Sequence, residues 1–202
     1  MSDADAFKWL YSDIVKDHFT NPRNVYDPDE TFEADADGMV GNIKCGDQMA
    51  FHLKIADDVI TDVRWQTYGC ASAIASTSML SEVIKGLPIR KAYSIKPADI
   101  AQRLGGLPEN KIHCSVLGDK ALRAAIDVYL DKTGRPGAFK GEDAVVICSC
   151  LNITDKDIED AVKAGARDWH ALQEATKIGT VCGECKPKAE GLLHEFAHIY
   201  GE

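Results

Sequence analysis

The spacing of hydrophobic residues is helical near the start of the chain, alternating in the middle and helical again afterwards. A helical pattern over Phe7–Phe19 ends at Asn21-Pro22, because proline disfavours helix in the residue before it. Alternation over residues 51–55 and 59–65 predicts two antiparallel strands that turn at Asp57-Asp58. Helical patterns return over 71–85, after Pro97 and over about 115–131. This order of elements predicts an α+β fold.

A stretch rich in glycine separates this region from the rest of the chain. Residues 133–144 contain three glycines and a proline, which predicts a linker between a domain at 1–132 and a second domain at 145–202. The second domain is predicted to be mostly helical. Thr154 precedes one helix as a cap, Asp168 caps another, and a third follows Cys185. A domain of about 60 residues buries a marginal core, so a bound metal would help to stabilise it.

The negative net charge of the chain makes some classes of binding partner unfavourable. Its 202 residues carry a formal net charge of −9, which speaks against nucleic acid and anionic membranes as partners. The N-terminus is acidic where a signal peptide would be basic, and no run of 18 apolar residues occurs. These features predict a cytoplasmic protein.

Seven cysteines are the strongest chemical signal, and four of them form one set near the C-terminus. Seven is an odd number, so complete internal disulfide pairing is excluded. Cys148, Cys150, Cys182 and Cys185 supply either a tetrahedral four-thiolate site for zinc or one ligand pair for each iron of a [2Fe–2S] cluster. A redox-active dithiol is the third alternative, although the βαβ context of such motifs is missing.

The other three cysteines, Cys45, Cys70 and Cys114, are widely spaced. Three thiolates leave a four-coordinate metal one ligand short. Asp47, His113 or a side chain from a partner could supply the fourth ligand, and a carboxylate suits an iron–sulfur cluster less well than a thiolate. We therefore expect a site that exchanges its metal. Cys70 and Cys114 each precede a predicted helix, whose dipole favours the thiolate form.

The remaining histidines are expected to have structural or surface positions. His194-Glu-Phe-Ala-His198 matches a zinc-protease motif, but both histidines should lie opposite the apolar face of their helix and point to water. His18 is predicted to take a packing or capping role, and His170 is predicted to lie on a helix surface.

Several blocks of sequence resemble a known family of iron–sulfur scaffold proteins. Tyr11–Val25, Cys45-Gly-Asp47, Thr67–Ser76 and Lys111–Leu117 resemble IscU/NifU-type scaffolds and occur in the family's order. Residues 146–154 and 179–187 resemble the helical [2Fe–2S] domain of bacterioferritin-associated ferredoxin and of NifU. The resemblance implies an IscU-like α+β domain followed by a [2Fe–2S] domain.

The resemblance also implies a function. Cys45, Cys70 and Cys114 would hold a transient [2Fe–2S] or [4Fe–4S] cluster, with Asp47 keeping it labile and His113 contributing to the metal site. Zinc is an alternative occupant there. Cys148, Cys150, Cys182 and Cys185 would hold a permanent [2Fe–2S] cluster. The chain would be a scaffold, not an enzyme, acting as a homodimer with a cysteine desulfurase and passing clusters to apo iron–sulfur proteins.

Two departures from the family's pattern limit what the resemblance implies. IscU scaffolds carry Leu-Pro-Pro-Val-Lys before the third cysteine, where an Hsp70-type chaperone docks, whereas this chain has Leu107-Pro-Glu-Asn-Lys111. No third, Nfu-type domain with a further Cys-x-x-Cys follows, so the carrier functions of that domain are not expected.

Overall fold

The structure is a computed structural model that describes residues 11–42, 47–108, 113–142 and 144–200; at residues 42, 47 and 113–115 it describes the backbone alone. The chain divides into two compact units, the first ending at Phe139 and the second beginning at Lys140. Part of the predicted linker packs on the first unit. Arg135 donates two hydrogen bonds, of 2.6 and 2.7 Å, to the Asp58 carboxylate, and Phe139 lies edge-on against Tyr93.

The first unit is an antiparallel sheet covered by helices, and the predicted α+β class is confirmed. Its sheet has the order β1-β2-β3. In chain order the elements are α1 (Asp13–Thr20), β1 (Ala36–Asn42), β2 (Asp47–Ala56), β3 (Val59–Tyr68), α2 (Ala71–Ile84), α3 (Ile89–Tyr93), α4 (Pro97–Arg103) and α5 (His113–Lys132).

Four of these elements differ from the sequence predictions, among them α3 (Ile89–Tyr93), which was not predicted. Helix α1 begins at Asp13 because the Ser12 hydroxyl caps it by accepting from the Val15 N–H at 3.1 Å; the predicted helical residues 7–10 lie outside the described part of the chain. Strand β1 was not predicted, because its two glycines and Asp37 hide the alternation. Helix α5 begins at His113, earlier than predicted, so Cys114 lies inside its first turn.

The turn between β2 and β3 agrees with the prediction. Asp57 and Asp58 both have positive φ, of 50° and 61°, which is the conformation of the tight turns that join two twisted strands. The inner face of the sheet carries fully buried side chains, among them Phe51, Leu53 and Val63. Helix α5 packs on β1 and β2 and also contacts α2, so the core of this unit lies between the sheet and these two helices.

Helix α2 is built from small residues, and its serines hold the loop that follows α1. Ser78 accepts hydrogen bonds from the Arg23 N–H at 2.9 Å and contacts the His18 ring nitrogen at 2.8 Å. Ser81 accepts from the Asn24 amide at 3.0 Å. The prediction of a packing role for His18 is confirmed, since this side chain is buried between the two helices.

We expect His18 to make the first unit less stable in mild acid. Burial, helped by the nearby Arg23 guanidinium, lowers the pKa of His18, while Glu82 and Asp17 act in the opposite direction. The unfolded chain therefore binds this proton more readily, and stability falls as the pH drops below about 6.5 towards the lower folded pKa. The free energy of unfolding in urea would be measured between about pH 7.5 and about pH 5.

The control for this prediction is His170, an exposed helix residue of the second unit. In a Trp169→Phe background the fluorescence of Trp65, which is buried on β3, follows the unfolding of the first unit. His18→Gln should flatten the dependence on pH, and His170→Gln should leave it unchanged. Equal slopes in all three proteins would contradict the assignment.

The second unit has a two-stranded hairpin and three helices: β4 (Val146–Cys148), β5 (Ile153–Thr154), α6 (Asp155–Lys163), α7 (Trp169–Thr176) and α8 (Lys186–Tyr200). The predicted caps are confirmed. Thr154 forms a reciprocal capping box with Asp157, and the Asp168 carboxylate accepts from the Ala171 N–H at 2.9 Å. Across the described residues of both units, no helix is long and apolar enough to cross a membrane.

Candidate metal centres

Two segments of the second unit bring four cysteines together. The first segment, residues 146–150, contains Cys148 on β4 and Cys150 in the turn towards β5. The second segment, residues 179–185, joins α7 to α8 and contains Cys182 and Cys185. The turn after Cys150 uses Asn152 with φ 53°, and the second segment has positive φ at Gly179 and Gly183. These left-handed residues fold both segments sharply enough for their thiols to meet.

The four thiols meet as two pairs, each with one member from each segment. Cys150 donates to Cys182 over an Sγ–Sγ distance of 3.5 Å, and both residues are exposed. Cys185 donates to Cys148, and these two residues are only 9% and 2% exposed. We call Cys148 and Cys185 the inner pair, and Cys150 and Cys182 the outer pair.

Backbone N–H groups are directed at these sulfurs. Cys148 accepts from the N–H groups of Gly179, Leu151 and Cys150, and the Gly179 N–H also reaches Cys185. Cys150 accepts from the Cys182 N–H. Donors of this kind stabilise negative charge on sulfur, which is the form in which a thiol binds metal.

The two members of the inner pair differ in acidity. The Gly179 N–H holds the pKa of Cys148 below its ordinary value, and the proton donated by Cys185 acts in the same direction. Burial raises the pKa of Cys185, and its hydrogen bond to Cys148 adds to that effect. In the outer pair, the hydrogen bond to Cys182 raises the pKa of Cys150. Of the two inner thiols, Cys148 is therefore the one that loses its proton more readily to bind a metal.

This donor set suits a two-iron cluster. A tetrahedral four-thiolate zinc site would gather all four sulfurs around one ion. Two pairs of thiols instead match the requirement of a [2Fe–2S] cluster, which takes two protein ligands on each of its two irons.

In the first unit the structure describes one of the three predicted cysteine ligands in full. Cys70 is the N-cap of α2, as predicted, and is half-buried. Its carbonyl accepts from the Ile74 N–H at 3.1 Å, and no acidic residue lies in the first turn of the helix. The positive end of the helix dipole at Cys70 favours a thiolate there.

The other predicted ligands of the first unit are placed by the backbone. Asp47 is the first residue of β2 and pairs with Asn42, the last residue of β1. Cys45 is one of the four residues between them in sequence, which lie outside the described part of the chain. Cys114 and His113 begin α5. Tyr68 pairs with Gln48, so Cys70 follows β3 at the sheet end where β2 begins. The N-terminal part of α5 lies near the same end of the sheet. Gly118 of this helix lies beside Thr77 of α2, and the Thr77 hydroxyl contacts Met49, near the start of β2.

The other histidines lie where the sequence predicted. His194, His198 and His170 are exposed, so the zinc-protease motif is not part of a buried site. The sequence analysis did not predict the role of Gly179 in the second unit. Its N–H donates to both inner thiols, and its φ is 72°. A glycine three residues before a cysteine pair was the available signal for it.

Comparison with known proteins supports the two-unit arrangement. The family described as "NifU-like N terminal domain" matches residues 10–136, which is more than half of the chain. The chain belongs to this family. The family described as "BFD-like [2Fe-2S] binding domain" matches residues 146–195 of the same chain. The resemblance to NifU that the motifs indicated is thereby confirmed.

Named relatives of this NifU-like chain fall into two groups. "Nitrogen fixation protein NifU" of Nostoc sp. is 39% identical over 195 residues, covering 93% of this chain and 64% of that protein. "Iron-sulfur cluster assembly scaffold protein IscU 1" of Archaeoglobus fulgidus is 48% identical over 131 residues, covering 65% of this chain and 84% of that protein. The IscU protein of Escherichia coli K12 is also 48% identical, over 123 residues, with coverages of 60% and 95%. The chain thus spans less than two thirds of the NifU protein it matches.

Proposed function

We propose that this NifU-like chain is a cytoplasmic scaffold on which an iron–sulfur cluster is assembled and from which it passes to apo-proteins. The first unit assembles the cluster, and the second unit holds a permanent [2Fe–2S] cluster. The observation that carries this proposal is the presence, on one chain, of two differently completed sets of cysteines. The thiols of the second unit meet in two pairs, whereas the first unit has three cysteines widely spaced in the sequence, together with the Asp47 carboxylate.

In the first unit Cys45, Cys70 and Cys114 would ligate the transient cluster. Their number leaves one position of the cluster to Asp47 or to the recipient protein. His113, next to Cys114, is a further candidate ligand. A carboxylate is a harder ligand than a thiolate and binds an iron of such a cluster less tightly, which would allow release. Zinc could occupy the same ligands before iron arrives.

The sulfur would come from a cysteine desulfurase as a persulfide on one of these cysteines. Converting that sulfane sulfur to sulfide needs two electrons. A [2Fe–2S] cluster held by Cys148, Cys150, Cys182 and Cys185 would pass them on one at a time, each taken from an external one-electron donor protein. Two copies of the chain would allow a [4Fe–4S] cluster to form between their first units, so the scaffold would act as a homodimer.

The test is to load the protein with a second cluster. Iron, sulfide and the visible spectrum would be recorded anaerobically on the full chain, before and after incubation with ferrous iron, cysteine and a cysteine desulfurase. We expect a chelator-resistant [2Fe–2S] spectrum at the start and an additional, chelator-labile cluster after loading. A resistant cluster without further uptake would contradict the scaffold function.

Asp47→Ala should trap the transient cluster on the first unit. In the variant a thiol from the cysteine in solution, which is a softer ligand than the carboxylate, can take the open position on iron. We therefore expect the chelator-labile cluster to survive at least about tenfold longer, which corresponds to about 1.4 kcal/mol. The control is Asp37→Ala, which removes an exposed carboxylate from the neighbouring strand of the same hairpin. Unchanged cluster lifetime in Asp47→Ala would show that this carboxylate does not control release.

A second candidate function is electron transfer by the second unit. Val146, Leu151 and Val181 are exposed apolar residues within two positions of a cysteine, and Val181 is 66% exposed. Such side chains are common where a redox partner docks. Cys148→Ser separates the two functions: in an electron carrier it would abolish activity, whereas in a scaffold the first unit would still take up its labile cluster.

A further inference from the structure

His194 and His198 lie one helical turn apart near the end of α8. We propose that these two histidines together bind one divalent transition-metal ion, with zinc as the reference case, at the surface of the second unit. Their imidazoles would be the protein ligands, and water would fill the remaining positions. A helix rises about 1.5 Å per residue, so His194 lies about 13 Å along the axis from Cys185. The site is therefore separate from the cysteines and independent of the functions proposed for them.

The spacing of the two histidines brings their rings to one place. Residues four apart on an α-helix share a face, with Cβ atoms about 5–6 Å apart. Zinc–nitrogen bonds of about 2.0–2.1 Å put two nitrogen ligands of one tetrahedral ion about 3.3 Å apart, which two rings reach by leaning towards an ion between them. His194-Glu-Phe-Ala-His198 has the spacing with which such histidine pairs bind zinc on one helix face.

The packing of α8 leaves this pair accessible to ions in solution. Both histidines are exposed. Gly191 lies three residues before His194 on the same face, and nothing lies within 4 Å of a Cβ atom added there. The space beside the pair is therefore open for a bound ion and its waters. The opposite face of the helix carries the buried residues Ala189, Leu193, Phe196 and Ile199.

The charges along α8 favour a cation at this pair. Glu190 lies one turn before His194, and its carboxylate is 3.6 Å from the Lys186 ammonium. Both of those side chains are about half exposed, and such a surface ion pair contributes little energy. His198 lies in the last turn, where the helix dipole carries partial negative charge. Arg167 offsets part of that charge by donating to the carbonyl of the last helical residue at 3.3 Å.

Imidazole nitrogen selects the class of metal. It suits zinc, copper, nickel and iron, whereas magnesium and calcium prefer oxygen ligands. Ferrous iron stands below zinc in the general order of affinities, so it would bind this pair more weakly. Catalytic zinc sites take three protein ligands and keep one open position. Two exposed ligands therefore give reversible binding without making the chain a protease.

The experiment is a zinc titration of the full chain labelled with ¹⁵N at histidine. A chelating buffer sets the free zinc concentration, so binding by the cysteines does not alter it, and NMR spectra follow the ring nitrogens of each histidine. His170 is the internal control: it is exposed on α7, and a glutamate, not a histidine, lies four residues later. We expect His194 and His198 to respond together, at a free zinc concentration at least about tenfold below that of His170, because the second ring binds an ion already held beside it.

Single substitutions distinguish chelation from independent binding. His194→Gln and His198→Gln should each raise the midpoint of the remaining histidine at least about tenfold, because its partner ring is lost. His170→Gln should change neither midpoint. If His194 and His198 respond only at the zinc concentration of His170, or if each keeps its midpoint when the other is replaced, the pair is not a metal site. The wild-type comparison needs no variant and decides the question even if a substitution disturbs folding.

This titration and the cluster-loading experiment fail separately. A chain that takes up no labile cluster can still show the paired zinc response, in which case only the scaffold function is wrong. A chain that loads its clusters but shows no paired response has only the cysteine sites.

Discussion

Gly38→Ala is expected to destabilise the first unit by about 3 kcal/mol or more, a large part of the stability of an ordinary domain. Gly38 lies on β1 directly beneath α5. A Cβ atom at this position would lie 2.1 Å from the Ala125 nitrogen and 2.4 Å from the Ala121 carbonyl oxygen. Both are backbone atoms of a helix, so no side chain can rotate away and the whole helix has to move.

The measurement for Gly38→Ala is urea unfolding of the first unit, followed by tryptophan fluorescence in the Trp169→Phe background. Gly118→Ala is the matched control on α5, because its Cβ would meet only the side-chain atoms of Leu80 and Thr77, at 3.4 and 3.5 Å. We expect that control to stay within about 1 kcal/mol of the wild type, since alanine favours helix. Equal losses in the two variants would contradict the argument from close packing.

The same substitution should impair cluster loading before it unfolds the protein. Helix α5 begins with His113 and Cys114, and its contact with β1 sets where that end lies relative to β2. Under conditions in which Gly38→Ala is still folded, we expect less chelator-labile cluster per chain, while the resistant cluster of the second unit is retained.

Gly179→Ala is expected to remove most of the [2Fe–2S] cluster that we propose for the second unit. Gly179 has φ 72°, and its N–H serves both inner thiols. A Cβ there would lie 2.8 Å from the Trp169 ring. An alanine at this φ also costs about 1–2 kcal/mol of backbone strain. If the backbone moves to relieve the strain or the contact with Trp169, the N–H turns away from the sulfurs. Visible absorption and iron per chain would be measured at equal protein concentration.

Gly165→Ala serves as the control, because it also has positive φ but nothing lies within 4 Å of its added Cβ. It should lose some stability and keep the cluster. If the ring is the obstacle, Trp169→Leu in the Gly179→Ala background should restore part of the cluster. A double variant as empty as the single one would show that the backbone conformation alone is responsible.

Long, regular patterns made most of the first unit predictable from sequence. The alternation of β2 and β3 and the helical spacing of α5 can be recognised in a single sequence because each of these elements places its apolar residues on one face. Strand β1 could not be predicted in the same way. Its glycines and aspartate weaken any strand signal, and it is ordered by pairing with β2 and by the close approach of α5 at Gly38.

The candidate sites, too, could be predicted only in part from the sequence. The spacing of Cys148, Cys150, Cys182 and Cys185 was enough to group them as one set, because close pairs of cysteines in an intracellular protein usually bind metal. Which thiols meet depends instead on the left-handed residues Gly179 and Gly183 and on the depth of each sulfur. Those properties emerge only when two distant segments fold together, so the sequence left them open.

The serines of α2 also limit how this protein could be engineered for heat resistance. Alanine is a better helix former than serine, so a designer would be drawn to replace Ser78 and Ser81. Both are completely buried, and their hydroxyls bond the loop that carries Arg23 and Asn24. Each replacement would leave a half-buried amide without this acceptor, at a cost of about 1 kcal/mol against a gain of a few tenths. Thermostabilising changes are better placed on solvent-facing helix positions of the second unit, such as Gly191 in α8, where an added methyl group meets nothing within 4 Å.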